Sequence, residues 1–235
     1  MQAVVLIPSR LDSTRLPGKA LLEIGGIPMV VRVMIQASKC RDIGDVYVCT
    51  DSDAIAEAVI SYGGKVIFTS SNHKNGTTRI AEAKSKLPSY DLYVDVQGDE
   101  PFINPEHISA VIQCHKEYSP DIVLPLLNIY DSKPSNVKVV TDINGRVLYL
   151  SRADIPFQMG EGAKYCKHLS IISFTPNALD KFSQLPQSPL EVIEGVELLR
   201  AVENGMYIKT VELEGDSFSI DTPQDYMDAI NHVSL

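Results

Sequence analysis

No Cys-x-x-Cys pair occurs in the chain: its four cysteines, Cys40, Cys49, Cys114 and Cys166, are widely scattered. That argues against a thiolate metal site or a disulfide framework and leaves reduced thiols as the plain reading. Positive charge is also scarce, with 21 Lys and Arg against 30 Asp and Glu and a net charge of −9. A nucleic-acid backbone requires a broad basic face, so nucleic acid is not expected as a partner. Apolar runs such as Ile122-Val-Leu-Pro-Leu-Leu127 are broken by Pro or charge well short of a membrane span, so no membrane is expected either. Met1-Gln2 leads straight into apolar residues without a charged n-region or cleavage site. No secretory signal is visible, and a cytoplasmic location is the expectation.

What is present suits a packed globular protein. The chain has 235 residues, 44% of them hydrophobic and 22% charged, enough for one large domain or one core with a small appendage. We divide it into a first half over residues 1–120 and a second over 121–235, within one domain. In the first half strand-like and helix-like segments alternate. Residues 3–8 read as a buried strand, and Pro28 opens a helix to about Lys39. Residues 45–50 form a strand, followed by a helix capped near Ser52 and ended by Gly63-Gly64. Strands at 65–69 and 92–96 flank a short helix near 77–86. This alternation predicts an α/β fold: a mostly parallel sheet flanked by helices, with ligand bound beyond the carboxyl ends of its strands. After about residue 120 the rhythm changes. A hairpin over 137–150 turning at Asn144-Gly145, a strand at 170–174, one long helix from Pro189 to about Asn204, a strand at 208–213 and a last helix opened by Pro223 are expected. This half reads as a smaller mixed α/β insertion or lid.

Against the acidic background, Ser9-Arg-Leu-Asp-Ser-Thr-Arg-Leu-Pro-Gly-Lys19 gathers Arg10, Arg15 and Lys19 directly behind the first strand. The loop lacks the spacing of an ATPase P-loop or a dinucleotide fold. Its cations and the backbone around Gly18 suit a small anion such as a phosphate, the plainer alternative being a solvated basic loop. In Val96-Gln-Gly-Asp-Glu-Pro101, Asp99 follows a buried strand and suits a hard cation, with Gln97 as a hydrogen-bonding partner for substrate. Capping the helix near Pro105 is the other reading of Asp99. Asp221, before Thr222-Pro223, reads by itself as a helix cap, but paired with Asp99 and a triphosphate it could hold Mg²⁺. His168 is either structural or a substrate contact. Glu191 and Glu194 stand one helical turn apart and point the same way, forming either an exposed acidic stripe or acceptors for a polyhydroxylated ligand.

The ordered motifs Ile7–Lys19, Gly76-Thr-Thr-Arg79, Val96–Pro101, Ser151-Arg-Ala-Asp-Ile-Pro156, Lys167-His-Leu169, Ser188–Glu194 and Ile220-Asp-Thr-Pro223 resemble the 3-deoxy-manno-octulosonate (KDO) cytidylyltransferase family along nearly the whole chain. The resemblance implies a Rossmann-like nucleotidyltransferase that converts CTP and KDO, a 2-keto-3-deoxy sugar acid, into CMP-KDO and pyrophosphate, for lipopolysaccharide or capsule synthesis. It implies a homodimer and a Mg²⁺ cofactor on Asp99 and Asp221. By the same resemblance Arg10, Ser13, Arg15, Lys19, Gly76 and Arg79 bind CTP, and Arg10, Lys19, Asp99 and Asp221 are the catalytic set. Gln97, Arg152, His168, Glu191 and Glu194 surround the sugar. Five positions depart from the family pattern: Ser9 for alanine, Thr78 for an acidic residue, Lys167 for arginine, Ser170 for glycine, and Ile172 for a tyrosine that would contact the sugar. A cytidylyltransferase for another sugar acid, such as a sialic-acid relative, and a silent nucleotide-binding regulator are the competing readings.

Overall fold

Ala3–Pro8 forms β1, in which every residue is buried, and it sets the frame of the molecule. The computed structural model describes residues 1–235 apart from 14, 131, 132, 134, 161–163, 216, 217, 234 and 235, so Thr14 of the basic loop lies outside it. The chain divides into two units, one of Met1–Ser109 with Ser217–Leu235, the other of Ala110–Asp216.

In the first unit a two-residue hairpin, β2 (Glu23–Ile24) and β3 (Ile27–Pro28), follows the basic loop. Gly25 and Gly26 both take positive φ there, the backbone that such a tight turn requires. Then come α1 (Met29–Ala37), β4 (Ile43–Thr50), α2 (Asp53–Ser61), β5 (Lys65–Phe68), α3 (Gly76–Lys84) and β6 (Leu92–Val96). Ser52 caps α2 by accepting from the Ile55 N–H, as its position before the apolar periodicity predicts. The strands run in the order β5-β4-β1-β6, all parallel. From β1 the chain first builds outward through β4 and β5, then returns to place β6 on the other side of β1. That reversal opens a crevice at the carboxyl ends of β1 and β6, where open α/β sheets take their ligands. The basic loop and residues 97–101 both leave their strands at this point.

Helix α4 (Pro105–Tyr118) carries the chain into the second unit. There β7 (Ile122–Ile129), β8 (Lys138–Thr141), β9 (Val147–Ser151), β10 (Tyr165–His168), β11 (Ile171–Phe174) and β12 (Ile208–Leu213) pair, with β7 central. Strand β12 runs parallel along one edge of β7, while β10 and β11 share the other edge antiparallel. Pro125 explains that shared edge. It has no N–H to donate, so the ladder breaks there: β10 pairs with residues 126–129 and β11 with 122–123. Strands β8 and β9 make the expected hairpin, its turn held by Asp142 Oδ1, which accepts from the N–H groups of Asn144 and Arg146.

Two expectations are corrected. The single helix over 189–204 is instead α6 (Pro189–Glu194) and α7 (Leu199–Glu203), following α5 (Pro176–Gln184). Gly195 enters the left-handed region at φ 62° and its N–H closes on the Glu191 carbonyl, which ends α6. The division at residue 120 is also displaced, because the chain's end returns to the first unit. Ile220 and Ala229 pack with Leu16, Ile24 and Met29 in one buried cluster. Ala229 belongs to the last helix, α8 (Pro223–Val233), whose Tyr226 hydroxyl donates to the Glu23 carbonyl.

His115 on α4 is buried, with Nδ1 2.6 Å from the Ser173 hydroxyl of β11. Burial pushes its pKa down to about 4, against an ordinary value near 6.5. Between those values the unfolded chain takes up the proton and the folded chain does not, so stability falls as the pH drops. Unfolding measured near pH 7.5 and near pH 5 should show wild type losing about 2 kcal/mol more than His115→Gln. Equal losses would remove this histidine from the acid sensitivity.

Candidate active site

One cleft in the first unit is lined by Arg10, Ser13, Arg15, Lys19, Gly76, Arg79, Gln97, Asp99 and Asp221, every first-unit residue expected at the site. The loop after β1 is pinned first by its backbone, the Ser9 N–H donating to the Cys49 carbonyl at 2.9 Å. Leu16 is buried in the cluster that holds α8, so the cations around it are displayed on an anchored loop. Gly18, at φ 65°, turns the chain so that Lys19 re-enters the cleft.

The Lys19 ammonium donates to Asp99 Oδ2 at 2.8 Å and to Asp221 Oδ1 at 3.1 Å. Arg15 Nη2 donates to the same Asp221 oxygen at 2.9 Å. Two carboxylates from distant parts of the chain thus converge on one cation. Their approach has a backbone cause: the Ile220 N–H donates to the Asp99 carbonyl, tying the segment before α8 to the loop after β6. Neither carboxylate caps a helix. Asn104 Oδ1 accepts the Glu106 N–H at the start of α4. At α8, Thr222 Oγ1 accepts the Asp225 N–H while the Asp225 carboxylate accepts from the N–H groups of Asp221 and Thr222. The capping alternatives for Asp99 and Asp221 therefore fall away, and both side chains face the cleft. Among the described residues, no three or more His, Cys, Asp and Glu side chains are grouped so that they could hold a metal ion.

The opposite wall is the start of α3. Asn75 caps it, its Oδ1 accepting from the Thr78 N–H at 2.9 Å and from the Thr78 hydroxyl at 2.8 Å. Thr78, in the position where the family pattern is acidic, therefore holds Asn75 in place. Arg79 is buried behind this wall, donating to Thr69 Oγ1 at 2.6 Å and paired with Asp51 at 3.3 Å. His73 Nε2 lies 2.5 Å from Glu82 Oε2. Bonds to Lys86 first, then to the Ser70 N–H and His73, hold the Glu82 carboxyl down to about 2. Gln97 Nε2 donates to the buried Asp95 at 2.9 Å, which leaves its carbonyl oxygen as the outward end. Sequence reasoning passed over Asn75, although its position just before an apolar-periodic segment is an N-cap signal.

The remaining expected residues lie in the second unit. His168 ends β10 at the ladder break, with Nδ1 donating to the Leu169 carbonyl at 2.9 Å, so that Nε2 carries the free lone pair. Burial pushes its pKa down. Ile172 follows on β11, half-buried. Arg152 donates through Nε to the Glu194 carbonyl, and its backbone N–H donates to Glu194 Oε2. Glu194 also accepts from the Ser151 hydroxyl at 2.6 Å. Burial would raise the Glu194 carboxyl, but these bonds outweigh it and hold the pKa low. Lys138, fully buried, donates to the carbonyls of Arg152 and Asn136 and fixes the backbone under that arginine. No sequence signal marks it.

Glu191 departs from expectation. It is 5% exposed and bound by both arms of Arg200, at 2.8 and 2.5 Å. Its Oε2 also accepts the Ser188 N–H in a capping box. Glu191 and Glu194 thus do not display a joint acidic face, because each carboxylate is engaged by a separate internal network.

A family profile described as Cytidylyltransferase matches residues 4–209. The 3-deoxy-manno-octulosonate cytidylyltransferase of Escherichia coli is 37% identical over 230 residues, covering 94% of this chain and 92% of the relative. The chain belongs to the 3-deoxy-manno-octulosonate cytidylyltransferase family. A second such cytidylyltransferase, from Hydrogenovibrio crunogenus, is 42% identical over 240 residues, covering 96% of this chain and 95% of that one. Among solved structures, a CMP:2-keto-3-deoxy-manno-octonic acid synthetase complexed with CTP superposes with a TM-score of 0.94 at 34% identity, over 100% of this chain and 99% of the other. As a member of this family the protein is a nucleotidyltransferase, as the resemblance implied, with the mostly parallel α/β fold expected from its residues.

Proposed function

We propose that the protein joins CTP to 3-deoxy-manno-octulosonate in a Mg²⁺-dependent reaction, giving CMP-KDO and pyrophosphate. The observation that carries this reading is the convergence of Asp99 and Asp221 on Lys19, in a cleft that also holds Arg10 and Arg15. Two carboxylates already gathered about one cation fit Mg²⁺, whose remaining ligands would be phosphate oxygens and water. Bound there, the ion would offset triphosphate charge and act as a Lewis acid toward the reacting oxygens.

The chain's own residues position and neutralise. Arg10, Arg15 and Lys19 bring three positive charges to the triphosphate. They favour the departing pyrophosphate when the sugar's anomeric hydroxyl attacks the α-phosphorus, because charge builds on that leaving group. Gln97 offers a fixed acceptor oxygen for a hydroxyl. Recognition of the sugar acid is assigned to Arg152, for its carboxylate, and to the Nε2 lone pair of His168 and Glu194, for its hydroxyls. Glu191 acts at one remove, holding α6 to α7. The product is an activated sugar of the kind that lipopolysaccharide or capsule assembly consumes.

A pyrophosphate-release assay with CTP, Mg²⁺ and a panel of keto-deoxy sugar acids tests the reading. KDO should be turned over fastest. Faster turnover of a sialic-acid relative would move the substrate while leaving the chemistry, and silence with every acid would overturn the activity. Ile172→Tyr restores one hydrogen-bond donor beside the assigned sugar residues. It should raise kcat/KM for KDO about two- to tenfold, the worth of one such bond; a loss would mean a pocket shaped around the isoleucine.

A further inference from the structure

The orientation of the Asn75 amide follows from its partners' chemistry. The Thr78 N–H needs an acceptor and finds Oδ1, which the Thr78 hydroxyl also approaches at 2.8 Å, with the Asn75 carbonyl and His73 Nδ1 as its other neighbours. The amide N–H₂ group is the end left over, and it has no hydrogen-bond partner among the described residues. Asn75 lines the same cleft as Lys19, Asp99 and Asp221. Charge assigns the triphosphate to the lysine side, which leaves the α3 wall for the nucleoside. On that wall Gly76 has no side chain to offer, and Arg79 is already committed to Thr69 and Asp51.

We infer that Asn75 reads the nucleobase, its amide N–H₂ donating to the adjoining N3 and O2 of cytosine and so selecting CTP over UTP. The inference rests on the reading of this cleft as the CTP site. Cytosine presents two acceptors on that edge, whereas N3 of uracil carries a hydrogen. A donor fixed opposite uracil would face another donor, and both would lose their water without gaining a bond. Thr78 is part of the device, because it keeps the amide from turning its oxygen to the base.

Two substitutions separate base reading from folding, since Asp and Ser cap helices about as well as Asn. Asn75→Ser keeps the cap and removes the donors; Asn75→Asp keeps the cap and replaces the donors with an acceptor. The readouts are kcat/KM with CTP and with UTP, together with calorimetric binding of each nucleotide without sugar acid. The CTP to UTP ratio should fall about three- to tenfold in Asn75→Ser. It should fall further in Asn75→Asp, with UTP use rising above wild type, while unfolding temperatures stay within a few degrees. Both variants retaining the wild-type ratio would overturn the inference while leaving the CTP reading intact. A wild-type protein that binds neither nucleotide would overturn the CTP reading itself.

Discussion

Asp99→Asn should lower the rate of pyrophosphate release at saturating CTP, Mg²⁺ and KDO by about a hundred- to a thousandfold, while the protein stays folded. Asparagine matches aspartate in shape, and what Asp99 gives the fold is its backbone carbonyl, which accepts the Ile220 N–H. The substitution leaves that bond in place. It removes one of two negative charges that face Lys19, and with it half of the carboxylate pair proposed to hold Mg²⁺. Asp221→Asn should fall comparably, and the double variant little further, because the two carboxylates act as a unit. Steady-state pyrophosphate release beside a thermal melt decides the matter. Wild-type turnover in Asp99→Asn would end the metal assignment, and a collapsed melting curve would show that the carboxylate serves the fold.

Arg200→Met should be the most destabilising of the substitutions considered, losing about 3–5 kcal/mol. Arg200 is 3% exposed, holds both Glu191 oxygens and stacks its guanidinium 4.9 Å from the Phe182 ring centroid. With the cation gone, a buried carboxylate keeps the Ser188 N–H but loses the opposite charge beside it. A chain of this size should lose roughly ten degrees or more in Tm. Adding Glu191→Leu to the arginine variant should recover much of that loss, since an apolar pair avoids the stranded charge. Calorimetry on the three proteins measures it. A single variant melting within a degree of wild type would mean that the pair is solvated in practice. A double variant melting below the single would mean that the capping-box bond from the Ser188 N–H to Glu191 outweighs the stranded charge.

The first unit was readable because its rules are local. Buried β-branched runs, Ser52 before a periodic segment and Gly63 after one announce their elements within a few residues. The second unit depends on what happens across strands. Pro125 marks a break in the ladder of β7, but which strands fill the two sides of that break is decided by residues forty positions further on. Gly195 is itself a helix-end signal, and the reading of one long helix from Pro189 passes over it. At the site, the basic loop stood out against an acidic chain, and Asp99 stood out after a buried strand. Asp221 could not be told from a cap until Thr222 and Asp225 were seen to do the capping. Glu191 shows the limit in the other direction: spacing places two carboxylates on one side of a helix, but does not reveal that Arg200 already claims one of them.

The return of α8 to the first unit has a consequence for how the protein is made. A ribosome emits Arg10, Arg15 and Lys19 before the second unit and Asp221 after the whole of it. A nascent or prematurely ended chain therefore carries the three cations and Asp99, but lacks the second carboxylate and the Ile220 bond that draws it in. Such fragments lack one of the two carboxylates that face Lys19, so the cleft is assembled only after the second unit has been made.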